Sequence, residues 1–253
     1  MTGEPIPDAS GQPARNAGGA LRQAVAAGLA LVVLGGAGWN IWHQLAHPPD
    51  PYAVDLTKPF RFHDDAGSNV PLDDASLEGL EFRTLRGEPV TLGGFRGRKH
   101  VVLVVTRGRT EKAVPGPYAG RICLYCASQT SRLIANYPEL ARRDAEVVVV
   151  FPVGRQEDAG SVAEFNAAVR ADALKFDRRD IDGTPFPVVL DVGLRAVNQL
   201  GLRADLAKPS TYILDKQGRV RFAHVGQSLA DRPSVKAILR QLDQLAAGAA
   251  SAP

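Results

Sequence analysis

Two runs of β-branched residues constrain this chain most: His100–Thr106 (HVVLVVT) and Glu146–Pro152 (EVVVVFP). Valines without polar alternation leave no side for water, so each run fits a strand buried on both faces. Between them lies a helical pattern, Cys126–Arg143, with Leu133, Ile134, Tyr137 and Leu140 at helical spacing and a kink expected at Pro138. Leu80–Leu85 and Val90–Leu92 flank Arg86-Gly87-Glu88-Pro89 and read as two short strands around a turn. Ser161–Ala173 reads as a helix opened by a Ser161/Glu164 capping box. Pro187–Leu190 and Thr211–Leu214 are further short strands, and Gly218 turns the chain into Val220–Val225 to make a hairpin. Pro233–Leu245 closes the pattern as a helix with Val235, Ile238, Leu239 and Leu242 on one face. The expected fold class is α/β, a central mixed sheet with helices on both faces, over residues 71–246.

The chain has two cysteines, and they form one motif, Cys123-Leu124-Tyr125-Cys126, between a buried strand and a helix. A helix N-terminus carries roughly half a positive charge and favours a thiolate at the first cysteine. The gap of two residues lets the second sulfur form or resolve a disulfide with the first. Two cysteines are too few for a disulfide scaffold or a four-cysteine zinc site.

The net charge of +3 is mild and the basic residues are scattered, which argues against nucleic acid as a partner. No Gly-rich phosphate loop follows a strand, and Asp191 and Asp215 read as turn-terminating residues rather than paired acids. Ala24 to Trp42 is a stretch of 19 residues without a charge, the length of a bilayer-spanning helix, with Trp39 and Trp42 at one end. Arg15 and Arg22 precede it and no Lys or Arg occurs between residues 23 and 57, so the N-terminus is expected in the cytoplasm. The competing reading is a cleaved signal peptide, whose apolar core is shorter, about 7–15 residues. The expected organisation is a disordered tail over 1–19, a signal anchor over 20–43, a Pro-rich linker over 44–70, the α/β domain, and a frayed tail from Ala246. The domain would then lie outside the cytoplasmic membrane, in the periplasm.

In this order the residues resemble the thioredoxin superfamily, and more narrowly its redoxin branch, alkyl hydroperoxide reductase/thiol-specific antioxidant. LEFRTLRGEPVTLGGFRGRKHVVLVV, FPVVLD at 186–191 and PSTYILDKQGRVRFAHVG at 209–226 carry the resemblance over roughly residues 75–245. It implies a thioredoxin-like fold and thiol redox chemistry without a cofactor. It makes Cys123 the attacking sulfur and Cys126 the resolving one, joined as a disulfide when oxidised. Pro209 stands where the resemblance puts a cis-proline beside the dithiol, turning Lys208 toward the site, with a trans proline at a strand entrance as the alternative. Lys208, Tyr125 and Arg121 are the expected substrate-facing residues.

The peroxidase motif of the branch, Pro-x-x-x-Thr-x-x-Cys, does not carry over. Counted from Cys123 its Thr and Pro fall on Gly120 and Gly116; counted from Cys126 they fall on Cys123 and Ala119. The arginine that peroxiredoxins place before the Thr-Tyr strand is Pro209 here, and Arg121 is the expected substitute. Arg107–Arg121 reads as an inserted loop. His224 reads as a structural histidine rather than a partner of the cysteines in a metal site. The leading expectation is a membrane-anchored thiol–disulfide oxidoreductase acting on protein disulfides or thiols, served by a membrane electron donor if reductive. A thiol peroxidase with Cys123 as the peroxidatic residue, and a redox-inert module with a structural disulfide, are the alternatives.

Overall fold

The computed structural model describes Trp39, Trp42 and residues 62–71, 77, 79–109, 120–176 and 180–250. The chain divides into two units, Met1–Asp50 and Pro51–Pro253. In the first, Trp39 and Trp42 are helical and exposed, with ring centroids 5.3 Å apart. The rest of the expected anchor, from Ala24, lies outside the described residues, as does the tail before it. Among the described residues no helix is long and apolar enough to cross a membrane.

The second unit is built on a seven-stranded mixed sheet in the order β2-β1-β5-β4-β3-β6-β7. Its strands are β1 (Glu81–Arg83), β2 (Pro89–Thr91), β3 (His100–Val105), β4 (Ala145–Val153), β5 (Val188–Val192), β6 (Ser210–Leu214) and β7 (Val220–Val225). The valine runs form the centre: β3 pairs parallel with β4 from His100↔Ala145 to Val105↔Val150, and β4 pairs parallel with β5. β6 joins β3 antiparallel and folds back as the β6–β7 hairpin. Asp215 fastens that turn, accepting hydrogen bonds from the backbone of Gln217 and Arg219 and the side chains of Arg219 and Arg221.

Period-two alternation sends the valines to two cores. Val102, Val104, Val147 and Val149 pack under α1 (Leu124–Ala135), α3 (Ser161–Phe176) and α5 (Val235–Ala250), through Leu133, Phe165 and Ile238. Val101, Leu103, Val148 and Val150 face Leu77, Phe82, Val197 of α4 (Arg195–Gln199) and Leu202. Burying each such side chain contributes about 1.5–3 kcal/mol. The long helices therefore share one face; among the described residues the other is covered by α4, Leu77 and irregular segments.

Local chemistry explains where the elements depart from expectation. The expected helix over Cys126–Arg143 breaks at Asn136, and α2 (Tyr137–Ala141) resumes with Pro138 in its first turn. Pro138 has no N–H for the carbonyl one turn back, so the ladder stops there. Ser161 does not form a capping box. It donates to the Asp158 carbonyl at 2.6 Å, and a 3-10 turn, Gln156–Gly160, runs directly into α3. The expected frayed tail from Ala246 is instead the end of α5, helical to Ala250. The short α4 escapes sequence reading because its five residues complete little more than one turn. It is nucleated by Asp191, whose buried carboxylate accepts from Ala196 N at 3.0 Å and Val197 N at 2.9 Å. Asp191→Ala is expected to lower stability by about 1–2 kcal/mol, read as an earlier urea midpoint with an unchanged slope.

Residues 62–69 are not linker. They lie as a strap beside β7, with Asn69 N donating to Ala223 O at 3.0 Å and the Asn69 side chain accepting from Val225 N at 2.8 Å and donating to Val225 O at 2.9 Å. Of the Pro-rich linker expected over 44–70, residues 44–61 lie outside the described residues.

Candidate active site

Cys123 is the N-cap residue of α1, and its sulfur accepts from Cys126 N at 3.4 Å. Both cysteines are free thiols, and both are buried, at 2% and 1% exposure. Cys126 receives more. Its sulfur accepts from Arg107 N at 3.2 Å and from Arg232 Nη2 at 3.1 Å, whereas that nitrogen is 3.8 Å from Cys123.

Each partner is delivered by a specific backbone feature. Arg107 follows β3, and the chain leaves the strand at Gly108, with φ +81°; a Cβ there would stand 2.6 Å from the Pro152 carbonyl. That tight exit aims the Arg107 N–H at α1, while its own guanidinium pairs with Asp205 at 3.1 Å. Arg232 sits in the turn between β7 and α5. The turn doubles back at Gly226, where a Cβ would meet the Asp231 carbonyl at 2.4 Å. The buried Arg232 side chain is fixed by Leu229 O at 2.7 Å and by Gln129 Oε1 at 2.7 Å. Gln129 lies one turn after Cys126 on α1 and reaches Thr211 Oγ1 at 3.4 Å. The guanidinium is thus braced from two elements before it meets the sulfurs.

This arrangement separates the two thiols. Burial opposes ionisation of both. At Cys126 it is overcome by the hydrogen bond with Cys123, the Arg232 charge and the Arg107 N–H, and the thiol is lowered to about 6. At Cys123 burial wins, reinforced by the hydrogen bond to Cys126 and the charge there, and the thiol is pushed well above its usual range. Both directions, together with the closer Arg232 and Arg107 contacts, favour the negative charge on Cys126 over Cys123. Sequence reasoning puts the thiolate on Cys123 because the helix terminus, with Arg121 close by in sequence, is the positive charge legible near it. Arg232 is the charge it misses.

The remaining expected site residues divide. Tyr125 is 2% exposed and belongs to the core, so the side chain open to solvent in the motif is Leu124, at 41%. Arg121 is exposed and makes no described contact with either sulfur. The Lys208–Pro209 bond is trans, since there is no cis peptide among the described residues. The backbone there is already partnered within the fold: Lys208 N donates to Leu202 O at 2.7 Å, Lys208 O accepts from Ser210 Oγ at 3.1 Å and Pro209 O accepts from Gly226 N at 2.8 Å. Pro209 packs against Gly226 and so shapes the turn that carries Arg232. His224 bridges Gly67 O and Asp231 Oδ1, each at 3.0 Å, as a structural histidine does. Among the described residues no group of three His, Cys, Asp or Glu side chains is placed to hold a metal ion. Residues 110–119 of the expected inserted loop lie outside the described residues.

No curated protein matches this chain. Among solved structures it is similar to a cysteine-to-serine mutant of peroxiredoxin 6 from Arenicola marina, with a TM-score of 0.53 and 14% identity over 72% of this chain and 76% of that one. It is also similar to a mitochondrial 1-Cys peroxiredoxin of yeast, with a TM-score of 0.52 and 13% identity over 75% of this chain and 79% of that one. At such identities the likeness shows the fold. The assignment rests on the sequence itself: the description of the AhpC/TSA family matches residues 69–223, a span that holds β1 to β6, most of β7 and the whole cysteine turn, and the chain belongs to that family.

Proposed function

We propose that this protein is a thiol–disulfide oxidoreductase whose working couple is the Cys123/Cys126 dithiol and disulfide. The observation that carries the reading is the pairing of two free thiols within one helical turn under a single guanidinium. The Cys126 thiolate attacks one sulfur of a substrate disulfide. That S–S bond breaks, and the leaving thiolate takes up a proton. Cys123 then gives up its proton and attacks the Cys126 sulfur of the mixed disulfide, releasing the second substrate thiol. Two electrons pass to the substrate, and an external dithiol must restore the pair. The uncharged stretch Ala24–Trp42 supports a membrane-anchored protein with this domain on the outer face.

The burial of both sulfurs favours a second reading, reduction of a peroxide, since a small oxidant reaches an enclosed thiolate more readily than a protein disulfide does. Cys126 would then attack the peroxide, breaking the O–O bond to form a sulfenic acid while the departing oxygen takes up a proton and leaves as water or an alcohol, and Cys123 would condense with the sulfenic acid to form the disulfide and release water. Cys123 in that scheme donates to the reactive sulfur from the position where the peroxidase motif has its threonine. Stopped-flow oxidation of the reduced full-length protein separates the two. Faster oxidation by a protein disulfide than by hydrogen peroxide at equal concentration is expected; the reverse order would transfer the assignment to peroxide.

A further inference from the structure

Arg232 lies beyond the matched residues 69–223, and so does most of the strap. The two are joined. His63 N donates to Arg232 O at 2.8 Å and Ser234 N donates to His63 O at 3.0 Å, a parallel bridge centred on His63 and Pro233. His63 Nε2 also stands 3.5 Å from Asp231 Oδ1, the carboxylate that His224 holds from the sheet. Arg240 of α5 pins the strap on either side of Asp65, donating to Asp64 O at 2.7 Å and Ala66 O at 3.3 Å. At the strap's start the Phe62 ring lies 4.3 Å from the Arg132 guanidinium, on the helix that carries Cys126.

These contacts bear on the site because they hold the backbone on both sides of Pro233, next to the Arg232 side chain. Pro233 has no N–H and cannot join the first turn of α5 as a donor. The Arg232 carbonyl is taken by His63, and Ser234, which starts the α5 ladder through Ile238 N, is tied to the same residue. A guanidinium 3.1 Å from one sulfur and 3.8 Å from the other loses its preference if its Cα drifts by about an ångström.

We propose that the 62–69 strap is part of the active site, with His63 acting through its backbone as the positioning residue that fixes the Arg232 guanidinium on Cys126. This rests on the reading above, in which Arg232 holds the thiolate. The fold covers β7 with the strap and in the same stroke sets the charge on the dithiol.

The test is the pH titration of thiolate absorbance in the full-length reduced protein, compared across His63→Pro, His63→Ala, Arg240→Ala and Arg232→Ala. His63→Pro removes the donor to Arg232 and is expected to raise the titration midpoint by about one unit, toward the Arg232→Ala value. His63→Ala keeps the backbone donor but loses the Nε2 contact with Asp231, so its midpoint should move less than that of His63→Pro. Arg240→Ala loosens the strap without touching the site, so it also reports if His63→Pro fails to fold, and a rise of the midpoint is expected there too. A midpoint unmoved by Arg240→Ala and by folded His63→Pro, while Arg232→Ala moves it, overturns the strap's role and leaves the functional reading intact. A midpoint unmoved by Arg232→Ala overturns both.

Discussion

Replacing Arg232 with alanine is expected to raise the Cys126 titration by about 1–3 units, because among the described residues it removes the one full positive charge within hydrogen-bond reach of that sulfur. The effect on rate follows from the sign of the shift. The Cys126 thiol lies at about 6 in the intact site, so the thiolate prevails at neutral pH and is lost as the pH falls through that value. In Arg232→Ala the same loss begins at higher pH, and oxidation at pH 7 should fall by up to about a hundredfold, converging with the wild type in alkali. Arg232→Lys is expected to fall between. A lysine keeps the charge but cannot hold Leu229 O, Gln129 and the sulfur together, as the guanidinium fork does. Stability is linked to the same group. A thiol lowered on folding contributes stability that is complete above its ordinary pKa and disappears as the pH falls through about 6. Urea unfolding of reduced protein across that range should show the loss, and should show less of it in Arg232→Ala. An unchanged thiolate titration in that variant would remove Arg232 from the site.

The second large effect concerns which sulfur attacks. Cys126→Ser is expected to abolish turnover and to remove the thiolate absorbance near neutral pH, since Cys123 keeps the backbone N–H of residue 126 at 3.4 Å but stands 3.8 Å from Arg232. Cys123→Ser should behave differently. The serine hydroxyl still donates to Cys126, so the thiolate persists while the resolving sulfur is gone. One equivalent of substrate should be consumed and then stop, leaving an adduct on Cys126 that mass spectrometry can localise. The opposite pattern, with the adduct on Cys123 in Cys126→Ser, would restore the assignment that the helix terminus alone suggests.

How far the sequence reveals such a site depends on the range of the interactions involved. The valine runs announce themselves because their burial is total, and both appear as central strands within a residue or two of their expected ends. The β6–β7 hairpin is equally legible, since Asp215 and Gly218 write its turn locally. The cysteine turn is legible for the same reason. Its electrostatics are not. Arg232 is 106 residues from Cys126 and is one of 30 basic residues, with nothing in its neighbours to single it out. Gln129 lies on the legible helix, yet a buried glutamine braced on an arginine reads as a surface residue until the fold brings the two together. Pro209 misleads for the converse reason. Its position is informative, but the backbone groups around it are consumed by Leu202, Ser210 and Gly226, which no local pattern discloses.

The blunt margins of the sheet bear on how any macromolecular partner is recognised. One margin is β2, three exposed or half-buried residues beginning with a proline that has no N–H to offer. The other is β7, whose second half is already paired with Ser68 and Asn69. Neither leaves a long free ladder, so recognition by β-augmentation, in which a guest peptide extends a host sheet, has no template among the described residues. Selectivity for an extended polypeptide must then come from side chains around the dithiol turn, where Leu124 stands in solvent beside the sulfurs.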